Sequence, residues 1–364
     1  MKKTNGRLAI LATAVMVTAS FGIAYAQSPE CTRPSKEPVA LGTLGGDFSL
    51  ATAANVFGKV VGYSEIADDA AQHAFVTTDG NKLKDIGLLS TGVNSAARGI
   101  NAEGQIVGAA DINDPVAGLV LHPFLYRNGG PLKDLGTLGG AIGQATGISD
   151  LGAVVGFSLL GDEATTHAFL YHSRTNGLVD LGTLPGGSNS QALAVNDRGY
   201  AAGSSDTGNT DQFGNIITDA VLFNLKTKEV TDLGNLGGTP AQAFGINNCG
   251  LVVGSSVTAS GLTDAFVYEN GALKDIGTLG GSFAQANAVN DFGVVVGFSN
   301  ITGDTDVHAF VWTAAKGMVD LNSLLPTNSG WDLSAAYGIN LEGKIVGVGT
   351  FNGESQAFEF TYRP

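Results

Sequence analysis

The chain has 364 residues, 19 Lys+Arg against 33 Asp+Glu, a formal net charge of -14 and 53 glycines. So acidic a chain repels phosphate backbones and has no basic face to release counterions, which excludes sequence-general nucleic-acid binding and leaves proteins, glycans and divalent cations as partners. No Gly-x-Ser-x-Gly elbow, phosphate loop or cysteine-rich zinc spacing occurs in it.

Residues 1–26 read as a secretory signal peptide, with Lys2, Lys3 and Arg7 ahead of an apolar stretch over 8–23 and Ala24-Tyr25-Ala26 as a small-x-small cleavage site. The apolar stretch is short for a bilayer span of about 20 residues, and no later stretch is long enough. Cleavage leaves 16 Lys+Arg against 33 acids and a charge of -17. The expected product is exported, periplasmic or extracellular, without a membrane span and monomeric. Residues 27–38 form a tail and 39–364 one domain. In an oxidising compartment the two cysteines, Cys31 and Cys249, are expected to pair.

From Leu41 on, one block recurs, opening again at Ile86, Leu135, Leu181, Leu233, Ile276 and Leu321, at spacings of 45, 49, 46, 52, 43 and 45 residues. Periods of this size mark units that cannot bury their apolar face alone. Within a block an alanine column (Ala51, Ala97, Ala145, Ala192, Ala243, Ala286, Ala336) is followed two residues later by Ala or Gly. That spacing places both on one strand face, as a crowded axis requires. Next comes Asn-x-x-Gly, as at Asn55 and Gly58, with Ser149 as the variant; the pattern predicts a type I turn into a second strand. The second strand carries a glycine column (Gly62, Gly108, Gly156, Gly203, Gly254, Gly297, Gly347), the mark of a bulge or a close backbone approach.

A third strand is centred on His73, His122, His167, Asp219, Asp264, His308 or Gln356. A short fourth one carries Asp85, Asp134, Asp180, Asp232 or Asp275 before Leu-Gly or Ile-Gly, or Asp320 before Leu-Asn. Four antiparallel strands per block of about 45 residues predict an all-β, seven-bladed β-propeller. A parallel β-helix would need shorter rungs and end caps. The last block stops after its third strand, and Val39-Ala40-Leu41-Gly42 has the sequence of the missing fourth. The N-terminal strand is therefore expected to complete the last blade and remove the open edges.

His-Ala-Phe at His73, His167 and His308, coupled to Asp-Leu-Gly-Thr-Leu-Gly-Gly over 134–140, resembles the HAF-repeat family of extracellular proteins, across about residues 39–364. The resemblance implies export and brings no biochemical activity with it. Asp219, Asp264 and Gln356 depart from the triplet, which speaks against any role needing a full ring of histidines.

A column shared by all blocks serves the block, so the histidine column is expected to make one repeated hydrogen bond within its own blade, to a buried backbone group. The Asp column is expected to hold a turn or strand end. Acidic loops between the second and third strands vary while the frame repeats, and together with the Leu-Gly-Gly links they define the candidate binding face. Asp206, Asn209 and Asp211 in the longest block are the best calcium candidate, since calcium takes six to eight oxygen ligands. No other cofactor is implied. The sequence reads as a non-catalytic binding or scaffolding module for protein or glycan. A polysaccharide hydrolase or lyase is the alternative, which needs two acids facing one pocket, and a calcium-stabilised surface protein is another.

Overall fold

The structure, a computed structural model, describes residues 37–69, 71–127, 129–173 and 177–363. The signal peptide and Cys31 lie outside the described residues, so the Cys31–Cys249 pairing does too. The described chain is all-β, with two 3-10 turns and no α-helix. No helix among the described residues is long and apolar enough to cross a membrane.

Repeat 1 runs Gly45–Ala54, Val60–Ile66, Gln72–Thr77 and Leu83–Asp85, hydrogen-bonded in chain order as an antiparallel meander. The other inner strands are Ser95–Ile100, Gly139–Ile148, Ser190–Val195, Gly237–Ile246, Gly280–Val289 and Trp331–Ile339. Three four-stranded and two eight-stranded sheets result, and none closes on itself. Each eight-stranded sheet is two neighbouring meanders touching through a single parallel pair, Ile142 with Leu121 in one and Thr263 with Phe283 in the other. Val39–Ala40 pairs antiparallel with Glu354–Thr361 of repeat 7. Leu41 N–H donates to the Ala357 carbonyl at 2.9 Å, and Trp331 Nε1 donates to the Pro38 carbonyl at 3.1 Å.

The glycine column sits where two backbones nearly touch. Gly62 pairs with Ala51, and a Cβ there would stand 1.9 Å from the Leu50 carbonyl oxygen. In every repeat the register slips by one residue immediately afterwards, between the alanine and the second small residue. This bulge corrects the expectation that the two small columns share one strand face. The alanine column is fully buried, whereas the second column lines an axial cavity. There Gly338 lies against the backbone of Thr52 and Ala53, so repeat 7 abuts repeat 1.

The Asn-x-x-Gly residues also join repeats. Asn55 Oδ1 accepts from Phe57 and Lys59 N–H in its own turn, while its Nδ2 donates to the Asn101 carbonyl of the next repeat. Asn101, Asn196, Asn247 and Asn290 reach forward in the same way. Asn340 Nδ2 donates to the Asn55 carbonyl at 2.9 Å, so the series returns to its start. It has one gap, at Ser149, whose side chain has no amide to extend. A second link remains there, from the Asp150 N–H to Asp197 Oδ1, of a kind that Ala102, Asp197 and Asn248 also make.

Apolar clusters fill the seams between repeats, as where Val61 and Val76 of repeat 1 meet Ala97, Ile106 and Phe124 of repeat 2. Phe75, Phe124, Phe169, Phe266, Phe310 and Phe358 are fully buried. Repeat 4 has Val221 at that position, and Phe223 two residues on supplies the ring from the same face.

Candidate functional site

The histidine and aspartate columns meet. His73 Nδ1 lies 2.6 Å from Asp85, His122 3.0 Å from Asp134, His167 2.9 Å from Asp180 and His308 2.7 Å from Asp320, each within one meander. The partner is a carboxylate on the adjacent strand rather than a backbone group. A second carboxylate contact caps the turn, as Asp85 Oδ1 accepts from Gly87 N–H and Asp134 Oδ1 from Gly136 N–H, both at 2.7 Å. Asp134 is held below the usual carboxylate range; burial opposes this, but the bonds from His122 and Gly136 outweigh it.

Where the histidine is lost, its partner changes character. In repeat 7 the residue in register with the Asp column is Ala40, opposite Phe358, and Gln356 Nε2 turns to Glu354 instead. In repeat 5 Asp264 faces Asp275, and its pKa is pushed up to about 6, first by burial and then by that like charge. In repeat 4 burial also raises Asp219, with Asp232 adding to the effect and the Asn235 amide, at 2.6 Å, opposing it.

The Asp264 shift has a definite sign. A carboxyl whose folded pKa exceeds its unfolded value binds more protons when folded, so its stabilising share is present below about pH 4 and is lost as pH rises through about 6. Asp264→Asn is therefore expected to match wild type near pH 4 and to become the more stable protein by pH 7. Because the site is largely solvated the gain stays below about 1 kcal/mol. Melting both proteins from pH 4 to 8 tests this, and a constant difference across the range would contradict it.

The acidic loops spend their carboxylates on the frame. Glu163 accepts from Ala141 N–H and Asp304 from Ser282 N–H, both in Gly-Gly links. Asp111 accepts from Val93 and Asn94 N–H. Asp206 is buried in the strand Tyr200–Thr210 and bonds Asn189 Nδ2 at 2.8 Å. Asn209 takes the Thr207 hydroxyl through its backbone N–H, and Asp211 caps a hairpin by accepting from Phe213 and Asn215 N–H. Cys249 is exposed on its turn, with Sγ 3.8 Å from the Asp291 carbonyl. A different set of possible metal ligands converges between repeats 6 and 7, where atoms of Asp306, His308 and Asp332 lie within 4.8 Å of one another.

A column that differs from repeat to repeat lies on the axis. Between the two small columns stand Thr52, Arg98, Thr146, Leu193, Phe244, Asn287 and Tyr337, lining a cavity of about 210 Å³ drawn from all repeats. Thr52 and Thr146 hydroxyls and the Asn287 amide staple the next repeat through carbonyls of Ala97, Ala192 and Ala336. Arg98 is the one charged residue in this lining. A second cavity of about 240 Å³, at the Asn-turn end, is lined by Asp150, Asp197 and Asp291 on one side and by Val56, Ala102 and Leu341 on the other. These acids each accept a neighbour's N–H, from Ala102, Asp150 and Asn248 respectively. The sequence signal for the axial lining is a variable position set between two columns of small residues.

No protein-family model matches the chain, and no curated protein matches it. Solved structures do. The β-propeller domain of the Trilobed protease from Pyrococcus furiosus aligns over 87% of this chain and 96% of that one, at 8% identity and a TM-score of 0.54. An oligogalacturonate lyase from Vibrio parahaemolyticus aligns over 88% and 93%, at 12% identity and a TM-score of 0.54. A prolyl endopeptidase aligns over 83% of this chain and 46% of its own, at 12% identity and a TM-score of 0.50. Identities this low speak for the fold alone, and that fold is the β-propeller.

Proposed function

We propose that the chain is an exported seven-bladed β-propeller of the HAF-repeat kind, in which Val39–Ala40 is the outer strand of the last blade, and that it works as a non-catalytic binding module for glycan or protein. One observation carries the functional part. Most positions that build the frame repeat, whereas the axis-facing column holds, beside the stapling Thr52, Thr146 and Asn287, a cation, two aromatic rings and an aliphatic group. A concave site with a few distinct polar groups among apolar ones is the usual form of a ligand pocket. The closure is supported by the Asn340–Asn55 bond and by Ala357 N–H donating to Ser49 Oγ at 2.9 Å.

Two measurements test this. Deleting residues 37–44 is expected to lower the melting temperature by more than 5 °C, about the effect of losing 3–4 kcal/mol in a chain of this length; an unchanged melt would remove the closing strand from the proposal. Residues 27–364 screened against glycans and envelope proteins, with and without calcium for the Asp206, Asn209 and Asp211 loop, are expected to give a ligand whose binding is lost in the Phe244→Ala/Tyr337→Ala double variant. A ligand indifferent to both substitutions would place the site elsewhere.

A polysaccharide hydrolase or lyase is the second reading, favoured by the acids at the Asn-turn mouth, which do not repeat around the axis. Hydrolysis or elimination by the purified protein, abolished in Asp150→Asn or Asp197→Asn, would establish it in place of the binding module.

A further inference from the structure

We propose that the axial site takes a saccharide bearing a carboxylate, gripped by Arg98 and laid along a strip of aromatic rings from repeats 6, 7 and 1. This rests on the binding-module reading and gives it a ligand class.

Phe283 and Phe298 stack with centroids 5.7 Å apart, Phe298 meets Tyr337 at 6.5 Å, and Phe48 meets Tyr63 at 6.1 Å. All five rings are partly exposed, although rings of this size pay for burial handsomely and seven phenylalanines of the strands, Phe75 to Phe358, are fully enclosed. Arg98 links the two groups. Its guanidinium lies 5.5 Å over the Tyr63 ring, and both Arg98 and Tyr63 are within electrostatic reach of Tyr337.

The arginine is what selects the ligand. Its Nε is buried without a hydrogen-bond partner, the one such side-chain atom among the described residues. Among the described residues no ion pair forms to Arg98, although the chain is rich in carboxylates. A planar guanidinium matches a carboxylate through two parallel bonds, which a ligand in the cavity would make end-on, since the enclosed Nε is closed to it. The rings fit the rest of such a ligand, because the flat C–H face of a pyranose lies on an aromatic face as apolar groups do, while its hydroxyls stay in water. A neutral sugar would satisfy the rings and leave Arg98 unmatched. A nucleic acid would bring its phosphates against the acidic surface.

The test is isothermal titration of residues 27–364 with di- to tetrasaccharides of galacturonate, glucuronate, mannuronate and guluronate, each also as its methyl ester. The ester keeps the sugar and removes the charge. At least one free acid is expected to bind, with a loss of about tenfold or more on esterification and on Arg98→Gln, and a comparable loss in Tyr337→Ala. Arg98→Lys is expected to recover part of the binding, since it restores charge without the fork. Melting curves confirm that each variant is folded. Equal affinity for acid and ester, indifference to Arg98→Gln, or no binding of any uronide at millimolar concentration would overturn the proposal. If the wider screen then yields a neutral glycan or protein lost in Phe244→Ala/Tyr337→Ala, the binding-module reading survives without this one; if it yields nothing, both fall.

Discussion

Alanine in place of Gly297 is expected to leave no cooperative melting transition at 25 °C and above. The added Cβ would stand 1.9 Å from the Gln285 carbonyl oxygen and 2.8 Å from the ring of Phe310, which is fully enclosed. Neither can move without separating the strands Gly280–Val289 and Val295–Ile301 at the bulge that follows. Ordinary overpacking costs about 1–3 kcal/mol because side chains can give way. Here the obstacle is backbone, so a cost above about 4 kcal/mol is expected, in the range of the most damaging single substitutions. Gly161→Ala is the control, since its Cβ would meet nothing closer than 3.8 Å. Circular dichroism melts of the two variants decide the point. A Gly297→Ala protein melting within 2 °C of wild type would show that the second strand can be displaced from the first.

The second large effect is expected at Asn340. Its side chain accepts from Glu342 and Lys344 N–H and donates to the Asn55 carbonyl, all at 2.9–3.0 Å, while only 5% exposed. Asn340→Ala leaves two N–H groups and a carbonyl without their partner, for a loss of about 2–4 kcal/mol. Asn340→Ser is expected to lose less, because Ser149 shows that a hydroxyl can still take the turn N–H, there from Ala153 at 3.2 Å. The reverse change, Ser149→Asn, is expected to stabilise by about 0.5–1 kcal/mol by supplying the missing donor to the Asn196 carbonyl. Urea midpoints for the three proteins give the order, and Asn340→Ser falling below Asn340→Ala would refute the account.

Much of the frame is legible in the chain because the repeats act as their own alignment. Strand alternation, Asn-x-x-Gly turns and the glycine column each answer to a local rule, and the four-stranded antiparallel meanders follow from them. The glycine column marks a bulge or a close approach, but its place between Ala51 and Ala53, which parts the two small columns, is not legible, because period-two reasoning assumes an unbroken register. Its consequence is that the neighbouring variable column lines the axial cavity. The partner of each histidine was likewise hidden, as two columns on separate strands meet only once the register is known. His73 and Asp85 are 12 residues apart, and nothing between them states that they touch. Once they do, the loss of both members in repeat 7, Gln356 with Ala40, becomes intelligible as one change rather than two.

By itself the amino-acid order determines the repeating antiparallel strands, the turns between them and the acidic surface, because each of these depends on neighbours a few residues away or on composition. The tertiary structure alone decides which side chains from distant repeats share a space. Arg98, Tyr63 and Tyr337 lie up to 274 positions apart in the chain, and they meet because repeat 7 packs on repeat 1. Such contacts are set by where sheets pack, a global balance of burial and hydrogen bonding that no short stretch of sequence contains.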